Sequence, residues 1–126
     1  EKTLIQRSNS SKVVGLKNVT MNEQFFMGHF PKKPVLPGVI QIEAMAQVGG
    51  ILVLSSVPDP ENYLTYFMKI DKVKFKQLVV PGDTIIFNLE LISPIRRGIC
   101  HMFGQGYVED KLVIEGELMA QIKKIN

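Results

Sequence analysis

The residues best suited to moving a proton in this chain are His29 and Glu43, both within "GHFPKKPVLPGVIQIEAMAQVGG" (28–50). An imidazole can take a proton and a carboxyl can give one if the two are held across a cavity. His29 sits in a loop stiffened by Pro31, Pro34 and Pro37, so its orientation is fixed at low entropic cost. Pro37-Gly38 opens an apolar helical segment, where unpaired N–H groups and the positive dipole end can hold an anion or a developing oxyanion. Gly38 has no side chain to block that approach. Glu43 lies further along the same segment, where desolvation favours the protonated form. Two other readings compete. In one, His29 is satisfied by backbone and Glu43 by a lysine. In the other the pair binds metal, but the spacing is not H-E-x-x-H, and His101 is the sole further imidazole. From the residues alone the structural and proton-transfer readings both stay open.

These groups need a frame. "VIQIEAMAQVGGILVLSS" (39–56) reads as one long helix, with Pro37 near its start, where a missing N–H costs little. It is apolar nearly all round and is expected to be enclosed on most sides, with Glu43 and Gln47 on a shared face and Gln41 off it. Gly49 and Gly50 weaken it locally, which predicts close approach to a strand or to a second copy of the helix. "KVVGLKNVT" (12–20) reads as a strand, and 21–38 as loop, with Phe25, Phe26 and Phe30 as core anchors. "VPDPEN" (57–62) breaks the chain. The rest reads as strand. Segment 63–77 places Val73 and Phe75 between Lys72, Lys74 and Lys76 in a half-buried alternation. A turn at 79–83 leads to strands over 84–97, 98–110 and 111–125, the last two joined in a hairpin at "EDK". "GELMAQIKKI" also fits a helix, and strand is preferred. Strands in succession imply antiparallel pairing, so the expected class is α+β, one helix packed on a curved antiparallel sheet.

A chain of 126 residues with 45% apolar and 21% charged content suits a single domain with a real core. The net charge of +3 is too small and scattered to argue for nucleic acid, and it is compatible with an acidic partner. Cys100 is the lone cysteine, so an internal disulfide is excluded, which fits a reducing compartment. The longest apolar run, 44–54, falls short of the roughly 20 residues of a membrane span. No leader pattern is visible, and a cytoplasmic location is expected.

Three separate blocks carry a resemblance. "NEQFFMGHFPKKPVLPGVIQIEAMAQ" (22–47) resembles the active-site segment of β-hydroxyacyl-(acyl carrier protein) dehydratases of the FabZ type. "KIDKVKFKQLVVPGD" (69–83) and "RRGICHMFGQGYVEDKLVIEGELMAQI" (96–122) resemble that family too, in the same order. The resemblance implies the hot-dog fold, a long central helix wrapped by an antiparallel sheet. It implies dehydration of a (3R)-3-hydroxyacyl thioester on acyl carrier protein to the trans-2-enoyl thioester. No metal or organic cofactor is implied beyond the phosphopantetheine arm of the substrate. His29 would take the C2 proton, Glu43 would protonate the departing hydroxyl, and the Gly38 N–H would bind the thioester oxygen. In the family the pair meets across a homodimer interface, and three dimers form a hexamer. Phe30, Pro37, Val39, Gln47, Tyr66 and Phe67 would line the acyl tunnel, and Lys74, Lys76, Arg96 and Arg97 would receive the carrier protein. Dehydratase-isomerase relatives carry aspartate at the position of Glu43, which favours simple dehydration here.

The family's "PHR-PFL" stretch and "DR" strand have no counterpart in "EKTLIQRSNSSK", so residues 1–11 are expected to be truncated or poorly ordered. "NVTMNEQFF" (18–26) and "PDPENYLTYF" (58–67) resemble the versions fused behind a lipid A deacetylase domain. That implies the dehydratase half of a bifunctional protein and a hydroxymyristoyl-type substrate. The rivals are a silent acyl-binding hot-dog subunit and an acyl thioesterase. Tyr63, Tyr66, Phe67 and Met68 also suit plain sheet packing. The basic residues also suit a solvated strand edge. Cys100 reads as a packed thiol and His101 as structural.

Overall fold

Residues 38–54 are almost free of residues that stop a helix, and the strand segments alternate apolar and polar side chains. Those two periods set the architecture of the computed structural model, which describes the backbone of residues 3–9 and the whole chain over 11–20 and 35–125. The anchors expected at Phe25 and Phe26 lie outside the described residues. In chain order the elements are β1 (Thr3–Asn9), β2 (Lys12–Asn18), α1 (Gly38–Leu54), a short 3-10 turn (Pro60–Asn62), β3 (Tyr63–Phe75), β4 (Thr84–Leu91), β5 (Ile99–Val108) and β6 (Lys111–Lys124). All six strands form one antiparallel sheet in the order β1-β2-β4-β5-β6-β3. Of residues 1–11, Thr3–Asn9 are extended and pair with β2. α1 touches every strand, so the sheet wraps it.

Side chains that alternate along β2, β4, β5 and β6 supply the inner face of the sheet. Val13, Ile85, Phe87, Leu89, Met102 and Leu118 are buried there against Met45, Val48, Leu52 and Val53 of α1. In the second half of β6 the buried positions are Gly116, Leu118, Ala120 and Ile122, every second residue. A helix would have buried every third or fourth, so the period of two settles strand over helix for "GELMAQIKKI". β4 ends at Leu91, short of the expected Arg97, and Pro94 beyond it has no N–H to give a ladder. Arg97 and Gly98 both have positive φ, 55° and 73°, between the paired residues Arg96 and Ile99. That is the tight turn whose twist matches a hairpin. β5 and β6 are joined at Glu109-Asp110, as the sequence predicts.

The helix lies close to the sheet because glycine makes room at the contact. A Cβ on Gly15 of β2 would stand 2.4 Å from Val48 Cγ2, and one on Gly49 would stand 3.0 Å from Leu89 Cδ2. Gly49 therefore serves approach to the sheet. A Cβ on Gly50 meets nothing within 4 Å among the described residues.

On β5, β6 and β3 a polar cluster crosses three strands. His101 Nε2 and Glu117 Oε1 lie 2.8 Å apart, and Lys72 Nζ stands 3.4 Å from Glu117 Oε2. Lys72 reaches it from an irregularity of β3, between Asp71 and Lys74, where its own φ is 54°. His101 thus has a structural partner, as expected. The hydrogen bond from His101, and then the charge of Lys72, hold the Glu117 carboxyl below the usual carboxylate range.

Two outcomes follow from this packing. Gly15→Ala forces the stiff, buried Val48 to move, and overpacking of this kind costs about 1–3 kcal/mol, measurable by urea unfolding. An unchanged urea midpoint would show that the helix is free to shift. For Glu117, a carboxyl lowered in the folded state adds stability above its unfolded value, and that stability is lost as pH falls through the folded value. Glu117→Gln is therefore expected to lower the urea midpoint at pH 7, and the gap to wild type should close below the ordinary glutamate value of about 4.3. A gap that persists in acid would mean that the charge of Glu117 contributes nothing.

Candidate active site

The helix start is built from Leu36, Pro37 and Gly38. Pro37 is the N-cap, with φ −59° and ψ 145°, and no side chain caps the helix. Its carbonyl accepts from the N–H of Ile40 and of Gln41, at 3.1 and 3.2 Å. Among the described residues the N–H groups of Gly38 and Val39 have no acceptor, and the first turn carries no acidic residue. Two donors and the positive end of the helix dipole are thus left for a ligand oxygen.

Beside this end lies a largely apolar groove of about 390 Å³, lined by Val35, Pro37, Gly38, Val39, Phe75 and Leu78, with Gln41 and Gln77 among its polar members. Phe75 is one wall. A Cβ on Gly38 would stand 2.7 Å from Phe75 Cζ, so glycine lets the ring close over the helix start. The sequence predicts half-burial of Phe75 by strand alternation, yet it is 51% exposed. It is the last residue of β3, where the inner face of the sheet runs out. Leu78 carries no sequence signal beyond its position before the turn. The aromatic at the strand end, followed by "KQLVVPGD", is the feature that marks both.

Glu43 lies five residues past Gly38, about 7.5 Å further along the axis. Every fourth residue of α1 here is exposed: Val39, Glu43, Gln47 and Ile51 form one stripe. Glu43 is thus exposed on the side of α1 that points away from the sheet. Gln47 shares its face and Gln41 does not, as the helical period requires.

The expected tunnel residues fall into three groups. Pro37 and Val39 line the groove, Gln47 lies on the stripe with Glu43, and Tyr66 and Phe67 are exposed on β3, the edge strand of the sheet. His29 and Phe30 lie outside the described residues. Leu64, Met68 and Ile70 are exposed on β3 as well, each between 46% and 52%. The basic residues do not converge within one chain. Lys74 pairs with Glu115 on β6, whereas the Arg96-Arg97 turn lies beside Ile122. Those two points of β6 are about 20 Å apart at the rise of a strand. Cys100 is buried, burial pushes its thiol up, and Sγ donates to the Ala120 carbonyl at 3.3 Å, so it is a packed thiol.

Comparison with known proteins adds three findings. The family model of the FabA-like domain matches residues 3–117. A bifunctional enzyme LpxC/FabZ of Bacteroides thetaiotaomicron is 65% identical over 91% of this chain. A 3-hydroxyacyl-[acyl-carrier-protein] dehydratase FabZ of Syntrophobacter fumaroxidans is 49% identical over 90% of it. The chain spans 25% of the length of the bifunctional relative and 76% of the dehydratase. Among solved structures, a thioesterase of Haemophilus influenzae superposes with a TM-score of 0.74 at 15% identity, covering 98% of this chain and 79% of its own. At that identity it shows the fold alone, the hot-dog arrangement of a helix wrapped by a sheet. No helix among the described residues is long and apolar enough to cross a membrane.

The contact at the helix start can be tested by a double-mutant cycle. Gly38→Ala should destabilise wild type by about 1–3 kcal/mol and do so less in a Phe75→Ala background, with a coupling of about 0.5 kcal/mol or more by urea unfolding. Equal penalties in the two backgrounds would show that the ring does not press on Gly38.

Proposed function

Because this chain belongs to the FabA-like domain family, we propose that it removes water from a (3R)-3-hydroxyacyl thioester carried by acyl carrier protein, leaving the trans-2-enoyl thioester. The observation that carries the reading is the placing of Glu43: a lone carboxyl on an exposed stripe, about a turn and a half beyond a bare helix N-terminus. The Gly38 N–H binds the thioester oxygen as enolate character develops. His29 takes the C2 proton, and the electron pair of that bond becomes the C2–C3 double bond. The C3–O bond breaks, and Glu43 gives its proton to the departing hydroxyl, so water leaves. Products carry the same atoms as the substrate. Both groups return to their starting state when the His29 proton passes back to Glu43 through solvent.

Two features support a homodimer. Among the described residues β3 is an edge strand that exposes Leu64, Tyr66, Phe67, Met68 and Ile70, and α1 leaves Val39 and Ile51 open at 71% and 43%. An edge of that length and apolarity in a stable protein calls for cover. A second copy seated there encloses Glu43 and brings it to His29 of the other chain, so neither copy alone completes the site. Three such dimers form the hexamer. Pairing of copies also provides the route by which the separated basic groups, Lys74 with Lys76 and Arg96 with Arg97, meet on one docking face for the acidic carrier protein.

The likeness to bifunctional LpxC/FabZ enzymes supports a natural chain in which this domain follows a lipid A deacetylase, with hydroxymyristoyl-type substrates and a cytoplasmic location. The reaction needs no metal or organic cofactor beyond the pantetheine arm of the substrate. Hydration of a crotonyl thioester, followed by ultraviolet absorbance, tests the assignment. His29→Ala and Glu43→Gln are each expected to lower the rate about 10²–10⁴-fold. Rates unchanged in both would remove their roles, and release of free thiol would favour a thioesterase.

A further inference from the structure

Gln41 is a buried polar side chain that the proposed chemistry leaves unused. It is 3% exposed, in the first turn of α1, and lines the inner end of the groove. Its Nε2 donates to the Leu36 carbonyl at 3.2 Å, and its Oε1 is buried with no partner among the described residues. A buried amide with an orphaned oxygen is a poor way to gain stability. An apolar side chain of the same volume would avoid the orphan. The amide is better explained by what it holds.

Leu36 is gripped from both sides. Its N–H donates to the Val79 carbonyl at 2.7 Å, and its carbonyl accepts from Gln41. Pro37, the next residue, has no N–H to anchor. Its carbonyl is already committed to Ile40 and Gln41. The Leu36 peptide is therefore the last point at which hydrogen bonds from outside the helix ladder can fix the chain before the Gly38 N–H. Val79, in the segment between β3 and β4, and Gln41, in the helix, together anchor that point, and the Gly38 N–H, which shares a peptide plane with the Pro37 carbonyl, follows the angle at which the helix start meets it.

We propose that Gln41 is a positioning residue for the oxyanion donor: through Leu36 and Pro37 it aims the Gly38 N–H at the thioester oxygen. This rests on the reading of Gly38 as that donor. Loss of the tether lets the helix start pivot, which weakens a contact made most strongly in the transition state. The effect falls on kcat and spares KM.

The test uses crotonyl-thioester hydration with the whole chain in its assembled state, comparing wild type, Gln41→Met, Gln41→Glu and Glu43→Gln. Gln41→Met keeps the volume and loses the donor, and its kcat should fall about tenfold or more with KM within about twofold. Gln41→Glu carries its own control. Protonated, the introduced carboxyl donates to the Leu36 carbonyl as the amide does; ionised, it repels it. Burial favours the protonated form. Its kcat relative to wild type should climb as pH falls, while that of Gln41→Met stays flat. The ratio to wild type cancels the titration of His29 and Glu43. If Gln41→Met fails to fold, the pH dependence of the Gln41→Glu ratio decides alone. Both variants within twofold of wild type, with Glu43→Gln inactive, overturn the role of Gln41 and leave the dehydratase reading intact. A loss that only tracks the folded fraction, seen by circular dichroism, overturns it too. Full activity in Glu43→Gln overturns the dehydratase reading itself.

Discussion

A helix about 25 Å long must be buried by a sheet that can reach only part of its circumference. That constraint organises the molecule. The sheet closes on α1 through contacts in which one partner is glycine, at Gly15 against the Val48 side chain and at Gly49 against those of Leu89 and Met102. Drawn in so tightly, the helix turns one side away from the sheet, and that side carries the exposed Val39, Glu43, Gln47 and Ile51. Its N-terminus emerges at the mouth of the sheet rather than beneath it, where Phe75 and Leu78 form a wall. The groove and the stripe are both consequences of how the helix is wrapped.

The helix start shows how local chemistry meets that global constraint. Proline at the N-cap offers no side-chain acceptor, and glycine after it offers no Cβ. Either choice alone would be a weak capping arrangement. Together, with Leu36 bound to Val79 and to Gln41, they leave donors bare in a position that is firmly held.

Much of this was legible in the residues. The helix shows in the run from Val39 onward, and the strand at the chain's end shows in the alternation around Leu118 and Ala120, because burial follows the period of the backbone. At Gly38 and Glu43 the residue types and spacing left a structural and a proton-transfer reading both open. What could not be read was which side of the helix would be left open. Apolar content counts the surfaces that want cover without saying whether the same chain or another supplies it. Pairing register was also invisible. Lys74, Lys76, Arg96 and Arg97 look like one basic set along the sequence, yet the ladder of β6 keeps the two pairs apart. Phe75 follows the inward alternation and still escapes burial, because the strand outruns the layer beneath it. Gln41 gave no signal beyond lying off the face of Glu43.

The breaks in β3 bear on how its edge can meet another strand. Its pairing with β6 slips between Phe67 and Lys69 and again between Asp71 and Lys74. Each slip bends and twists the strand, so its outer rim is not one straight template. A newcomer strand can match it over short stretches only, and a match set by the bends has a single register. Such a rim discourages stacking of many chains into an open ribbon. Straightening the strand by removing either bend would lengthen the usable rim, and with it the hazard of fibre growth.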